Sequence, residues 1–436
     1  MLKKNNNLQI YKKGLYFLSL GGIGEIGANC YLYCCDDKWI MIDLGLSFAD
    51  EQFPGVDLLV PKINFIEDIK DNLEAIIISH GHEDHAGAVA YLADKIDCPV
   101  YASSFPKLLI ENRLKEFGKL DSVNLIELDS NKNLSLENFN LKFIDTTHSI
   151  PQPQAIVIET KYGNLLHTAD WKIDADPVVG AAWSSKRFRE LGDKGIDAVI
   201  CDSTNALRAG YTPSEGEVAV GLRQVIQRCE GRVVVGCFSS NVARMQTLAS
   251  IAQLTGRYLG VLGRSAAGMA RCAQQVGLLP ENFQPIHAEH LGYLPPAEVL
   301  GVATGSQGEW GAALHRLMMQ THPDLVLEPG DTVILSSKTI PGNEASVQRL
   351  IEGLRGRGIE VISADESEQT LHASGHPCQG ELADLYQILK PTLAIPVHGE
   401  ADHMKANAKV ARESGVDVTL TGTNGDLFYL SPTPGV

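Results

Sequence analysis

The chain is 436 residues long, enough for two or three domains, each with a core of its own. Its 44% hydrophobic and 21% charged content is that of a globular protein, and no apolar run approaches the length of a membrane helix. The net charge of −16 excludes a broadly basic nucleic-acid-binding surface, but not a local phosphate site whose charge comes from metals and backbone amides.

The start, Met1-Leu2-Lys3-Lys4-Asn5-Asn6-Asn7-Leu8, is polar and lacks the apolar stretch and cleavage site of a signal peptide, which predicts a cytoplasmic protein with no membrane partner. Nine cysteines (Cys30, Cys34, Cys35, Cys98, Cys201, Cys229, Cys237, Cys272 and Cys378) form an odd set without a Cys-x-x-Cys pair. They read as reduced, mostly buried small residues. Residues 1–170 carry 14 Lys and 1 Arg, whereas residues 171–436 carry 7 Lys and 15 Arg. Either codon composition drifts along the gene, or two parental genes join near Ala169-Asp170-Trp171.

In chain order, Leu15 to Leu20 and Asn29 to Tyr33 read as strands flanking Gly21-Gly22-Ile23-Gly24-Glu25-Ile26-Gly27. A dinucleotide loop would need a helix after those glycines, so they read as tight turns. Trp39 to Ile42 is a strand ending at Asp43, which is either an orienter of a metal ligand or an ordinary turn aspartate. Ala75-Ile76-Ile77-Ile78 has the continuous apolar character of a buried strand and runs into Ser79-His80-Gly81-His82-Glu83-Asp84-His85.

That loop packs three histidines and an aspartate into six positions, a density that favours a metal over the alternative of a polar strand-to-helix turn. In its extended part alternate residues share a side, so His80 and His82 can point at one ion. Asp84 and His85, entering the small-residue helix Ala86 to Leu92, are free to face a second. Imidazole with carboxylate suits Zn2+ or Mn2+ and does not choose between them.

Pro99 to Ala102 reads as a further strand, and Lys107 to Phe117 as a charged helix. Leu141 to Ile144 is a strand that leads to His148, and Asn164 to Trp171 reads as another strand, ending in the acid Asp170. His80, His82, Asp84, His85, His148 and Asp170 thus all lie at strand ends or a helix start, where sites form in open sheets. Three histidines around one ion, and an aspartate, a histidine and a bridging Asp170 around another, is what a two-metal hydrolase requires. Ions about 3.5–4 Å apart activate a shared water and stabilise charge on a phosphodiester or amide.

At this point the chain resembles the metallo-β-lactamase fold and, within it, the β-CASP nucleases. Gly21 to Gly27, Thr147-His148-Ser149-Ile150-Pro151, Cys201-Asp202-Ser203-Thr204-Asn205, Thr304-Gly305-Ser306-Gln307-Gly308-Glu309, Ile340-Pro341-Gly342-Asn343, Ser374-Gly375-His376 and Pro396-Val397-His398-Gly399-Glu400 look like segments of bacterial ribonuclease J, in family order. The resemblance implies an α/β protein, a metallo-β-lactamase αββα sandwich with an inserted β-CASP α/β domain. It implies two divalent ions, one on His80, His82 and His148, the other on Asp84, His85 and His398, with Asp170 bridging. Asp202 and His376 match positions linked to proton transfer and phosphate contact, and Asp84 is a further catalytic candidate. A carboxylate hydrogen-bonded to an imidazole raises its pKa, which suits a general acid.

Residues 207–368 read as the inserted domain, and 1–206 with 369–436 as the metal domain. Strands around Val233, Leu259, Leu300 and Val333 alternate with helices, and three of them run into Ser239-Ser240-Asn241, Thr304-Gly305-Ser306 and Ser336-Ser337-Lys338. Hydroxyls and free amides there form a phosphate cradle, although ordinary turns look alike. By resemblance, Ser239, Ser240 and Asn241 with His372, Ala373, Ser374, Gly375 and His376 hold the 5′ nucleotide of RNA. His167, His287, His290, His315, His322 and His403 have no partner pattern and read as structural.

Ribonuclease J chains continue past the point where this one stops into a small C-terminal domain, so its absence is expected to weaken a homodimer. The resulting expectation is a metal-dependent ribonuclease, a 5′-3′ exonuclease from 5′-monophosphate ends with some endonuclease activity. The competing expectations are a hydrolase of a small ester, thioester or lactam, and a catalytically weak RNA-binding protein.

Overall fold

The computed structural model describes residues 13–49, 53, 55–129, 131–340 and 342–436. The polar start Met1 to Leu8, and Pro341 of the Ile340 to Asn343 segment, lie outside them. The chain first lays down β1 (Leu15–Gly21), β2 (Cys30–Cys35), β3 (Lys38–Ile42), β4 (Leu73–Ile78), β5 (Val100–Ala102), helix α1 (Ser104–Glu116) and β6 (Leu125–Glu127). It then forms β7 (Leu134–Ser135), β8 (Asn140–Asp145), β9 (Gln154–Thr160), β10 (Gly163–His167), α2 (Ser185–Lys194) and β11 (Ala198–Asp202). A third run holds α3 (Glu215–Ile226), β12 (Val233–Gly236), α4 (Val242–Thr255), β13 (Tyr258–Leu262), α5 (Arg264–Gln275), β14 (Val299–Ala303), β15 (Thr332–Leu335), α6 (Glu344–Arg355) and β16 (Glu360–Ser363). The chain ends with α7 (Gln379–Leu389), β17 (Leu393–Val397), α8 (Ala401–Glu413), β18 (Val418–Thr419) and β19 (Leu427–Ser431).

Two seven-stranded sheets, ordered β19-β1-β2-β3-β4-β5-β6 and β18-β17-β11-β10-β9-β8-β7, face each other. Alternation along each strand divides the layers. Leu15 and Phe17 of β1 point between the sheets with Ile40, Ile77, Phe143, Ile158, Ile200 and Ile395. Tyr16 and Leu18 point the other way, onto a layer that includes Ile110 and Leu114 of α1. Behind the second sheet, Val157 and Val199 meet Phe188 of α2 and Leu382 and Leu385 of α7. The layers are therefore helix, sheet, sheet, helix. β4 lies between parallel neighbours β3 and β5 and is buried on both faces, which explains its unbroken apolar run. β9 was not legible as a separate strand from the sequence; it pairs antiparallel with both β8 and β10.

The third sheet, β13-β14-β12-β15-β16, is wholly parallel and has helices on both faces. Val233 and Val235 contact the core shared with α3 and α4, while Val234 faces that of α6. After this sheet, β17 adds in parallel to β11, with Asp202 opposite Val397. β19 closes the first sheet against β1. The last stretch of chain is thus a structural neighbour of the first.

Candidate metal centre

The proposed ligands converge where β4, β8, β10 and β17 end. His80, His82, His148 and Asp170 form one cluster, and Asp84, His85, Asp170 and His398 another, with one candidate ligand atom from each residue within 4.8 Å of the others in its cluster. Asp170 belongs to both. It also belongs to a third cluster, with Asp202, His376 and His398. In the first cluster His82 Nδ1 lies 3.1 Å from His80 Nε2 and 3.0 Å from His148 Nε2. Asp170 Oδ2 lies 3.8 Å and 3.5 Å from the same two Nε2 atoms. In the second, Asp84 Oδ2 is 3.5 Å from His85 Nε2 and 3.3 Å from His398 Nε2, and Asp170 Oδ1 is 3.2 Å from His85 Nε2.

Neighbouring groups fix how these rings face. The His148 Nδ1–H donates to Gly375 O at 2.6 Å, which leaves Nε2 for the centre. Only glycine permits this approach, because a Cβ at position 375 would lie 2.5 Å from His148 Cε1. His85 Nδ1 bonds Asp43 Oδ2 at 2.7 Å, and the same carboxylate accepts from Ser79 N and Ser79 Oγ at 2.7 and 2.8 Å. Of the two readings of Asp43, the orienter is the one that the geometry supports. Asp43, Ala169 and His398 hold positive φ, at 64°, 48° and 51°. Such strain in non-glycine residues persists where surrounding contacts over-determine the backbone.

The electrostatics of the two clusters differ. Burial pushes His82 down to about 4 and holds His80 and His148 well below the ordinary imidazole range, so three neutral nitrogens face one point. Burial also opposes charge on His85 and His398, but carboxylates outweigh it. Asp170, Asp84 and Asp43 hold His85 well above its usual value, and Asp170 with Asp84 carries His398 up to about 10. The second cluster therefore has surplus negative charge that a cation relieves. Neutral imidazoles on one side and excess carboxylate on the other are a donor set suited to divalent metal.

Beside the centre, His376 Nδ1 lies 2.8 Å from Asp202 Oδ2. Against the effect of burial, Asp202 and Asp170 raise the His376 pKa. Ser240 Oγ of the third-sheet region lies 3.1 Å from His82 Nε2, so the structure brings this substrate candidate to the centre. Ser374 Oγ accepts from Asn205 Nδ2 at 2.8 Å, and Ala373 is in the core. His372 is buried, with its pKa pushed down to about 3 and its Nδ1 without a hydrogen-bond partner among the described residues. Asn241 caps α4, its Oδ1 accepting from Arg244 N at 2.9 Å. Ser239 is half-buried, next to Ser240. Among the histidines read as structural, His167 is buried and bonds Tyr33 Oη through Nδ1 at 2.8 Å.

Sequence reading missed Asn29, whose amide nitrogen reaches both His85 and His398. It also missed a buried chain of charges under the centre. Lys172 Nζ pairs with Asp174 Oδ2 at 2.8 Å, Asp174 Oδ2 accepts from Glu215 N at 3.0 Å, and Glu215 Oε2 pairs with Arg244 Nη2 at 3.0 Å. Arg244 continues to Ser336 Oγ and to Leu371 O, just before His372. Nothing in local sequence marks these four charged residues, drawn from three segments, as partners. All nine cysteines are free, and all but the half-buried Cys229 are buried, as read from the sequence.

A double-sheet sandwich with this ligand set at its strand ends defines a metal-dependent hydrolase of the metallo-β-lactamase fold. The metallo-beta-lactamase superfamily model matches residues 23–182, the ribonuclease J beta-CASP domain model residues 230–354, and that of the Zn-dependent metallo-hydrolase RNA specificity domain residues 360–420. The chain is 40% identical over 425 residues to ribonuclease J of Sinorhizobium meliloti, covering 96% of this chain and 75% of the relative. It is 37% identical over 424 residues to ribonuclease J of Thermus thermophilus, with 95% and 74% covered, and 32% identical over 416 residues to ribonuclease J2 of Bacillus subtilis, with 95% and 74% covered. The chain belongs to the ribonuclease J family and is a metal-dependent ribonuclease. A crystal structure of a protein of unknown function from Enterococcus faecalis shares the fold, at a TM-score of 0.69 and 15% identity over 95% of this chain and all of that one. Among the described residues no helix is long and apolar enough to cross a membrane.

Proposed function

We propose that the chain hydrolyses RNA phosphodiesters at a two-ion centre, acting from a 5′-monophosphate end in the 5′-3′ direction with some internal cleavage. His80, His82 and His148 hold one ion, Asp84, His85 and His398 the other, and Asp170 both; Zn2+ and Mn2+ each suit the donors. Bound there, the ions supply Lewis acidity and lower the pKa of water. The chain's own residues bind, orient and move the proton. His376, whose protonated form Asp202 favours, donates from its ring to the leaving 3′ oxygen as the bond from phosphorus to that oxygen breaks. Water contributes the hydroxyl that remains on phosphorus, so the products are a 5′-phosphate and a 3′-hydroxyl.

Ser239 and Ser240, with the backbone of Asn241, face the 5′ nucleotide from the inserted domain, residues 207–368, and the segment His372 to His376, in which Ala373 is a core residue, faces it from where the chain returns to the metal domain, residues 1–206 and 369–436. The observation that carries this reading is the 3.1 Å approach of Ser240 Oγ to His82 Nε2, which sets a hydroxyl-bearing loop of the third-sheet region directly on the ligand cluster. A hydrolase of small lactams or thioesters has no use for such a second wall.

The test is incubation with 5′-monophosphate and 5′-triphosphate RNA, with Mn2+, Zn2+ or chelator, beside His80→Ala. Mononucleotides released from the monophosphate substrate, and lost in chelator and in the variant, are expected. Cleavage that persists in either would sink the mechanism, and turnover of a chromogenic lactam without RNA cleavage would redirect it.

A further inference from the structure

Asn29 is fully buried at the mouth of β2, and its carboxamide is fixed at both ends. The Tyr31 hydroxyl donates to Asn29 Oδ1 at 2.7 Å, which turns Nδ2 toward the centre. From there Nδ2 lies 3.1 Å from Asp84 O, 3.2 Å from Asp84 Oδ2, 2.9 Å from His85 Nε2 and 3.3 Å from His398 Nε2. The backbone is tied to the same place, since Asn29 N donates to Asp84 O and Gly45 N donates to Asn29 O, both at 2.9 Å.

One side chain therefore touches every residue of the second cluster except Asp170, and these arrive from places far apart in sequence. His85 is 56 residues away and His398 is 369. The glycine segment before Asn29 completes the clamp. His398 N donates to Gly22 O, and Gly24 N donates to Gly399 O at 3.0 Å. Gly22 has a φ of 88°, and a Cβ there would sit 2.2 Å from Tyr31 Oη and 2.4 Å from Asn29 Oδ1. The turns thus press the Asn29–Tyr31 pair against the strand end that brings in His398.

We propose that Asn29 is a positioning residue for the second ion, holding Asp84, His85 and His398 in one geometry through an amide locked by Tyr31. An asparagine with a purely structural role would be satisfied by Tyr31 and Asp84 O; the second amide hydrogen, which reaches Asp84 Oδ2 at 3.2 Å, and the close packing of the amide against the His85 and His398 rings are what this role explains. The inference rests on the two-ion reading above.

The experiment compares parent, Asn29→Ala and Tyr31→Phe as full chains. Zn2+ bound per chain is measured by elemental analysis after dialysis, affinities by competition with a chromophoric chelator, and folding by thermal unfolding. The parent is expected to hold two ions. Asn29→Ala should keep one at parental affinity and lose 10- to 100-fold at the other, the usual size of an effect from behind the ligands. Adding His80→Ala should then remove the remaining ion. Tyr31→Phe, which frees the amide without deleting it, should weaken the same ion by less, and it decides the matter alone if Asn29→Ala does not fold. Unchanged or tighter binding in the variants of a two-ion parent overturns the role of Asn29 only. So does equal weakening of both ions. A parent that holds fewer than two ions overturns the two-ion reading and this inference with it.

Discussion

Ser240 Oγ and His82 Nε2 are 3.1 Å apart although 158 residues separate them in the chain. One nitrogen of the His82 ring faces the ligand cluster and the other faces the third-sheet region, so this ring bridges the two. Ser240→Ala should leave bound metal unchanged and raise KM for 5′-monophosphate RNA about 5- to 10-fold, the worth of one hydrogen bond of about 1 kcal/mol. Steady-state kinetics beside elemental analysis checks this; loss of metal in the variant would contradict it.

Gly375→Ala should act on the other side of the centre. Its Cβ has no room beside His148, so the ring must move and its bond to Gly375 O is lost. The expected outcome is a 10- to 100-fold loss of affinity for one ion, read by chelator competition. Parental affinity in this variant would show that His148 does not need the carbonyl.

The buried pair of Glu215 and Arg244 connects α3 and α4 to the segment that carries His372. Arg244→Met leaves the Glu215 carboxylate buried without its partner and should cost about 3–5 kcal/mol in denaturant unfolding. Glu215→Gln combined with Arg244→Met should recover a large part of that loss.

The same pair sets a pH response. Burial alone would raise the Glu215 pKa, but the Arg244 guanidinium and Lys172 hold it below the usual carboxylate range. A lowered carboxyl stabilises the fold fully above the unfolded value of about 4.3, and that contribution is lost as pH falls through the folded value. Glu215→Gln should therefore flatten the acid limb of the stability curve below about pH 4. An acid limb identical to the parent's would assign acid unfolding elsewhere.

Chelator should lower the thermal midpoint, because ions that bind the folded chain stabilise it by about 2.7 kcal/mol at a hundred times Kd. In His80→Ala the chelator effect should shrink. An equal midpoint with and without chelator in the parent would mean that the centre is not loaded.

Much of the buried His/Asp cluster was legible because its candidate ligands are chemically rare and lie at strand ends. His80 to His85 announce themselves by density, and β4 by its unbroken apolar run between parallel neighbours. His148, Asp170 and His398 are single residues whose meaning comes only from order along the chain and from resemblance. What stayed hidden are partners made by tertiary approach. Asn29 looks like any strand-start polar residue, and the row from Lys172 to Arg244 is drawn from separate segments. The glycines before Asn29 were readable as turns, but their contact with His398 depends on β17 entering beside β11.

The lateness of His398 has a consequence for synthesis. It lies 228 residues beyond Asp170, so a growing chain can complete the three-histidine cluster long before the second one exists. At about 5–20 residues per second that interval is on the order of 10–50 seconds. A growing chain thus lacks His398, and with it the complete second cluster, until nearly all of the chain has been made.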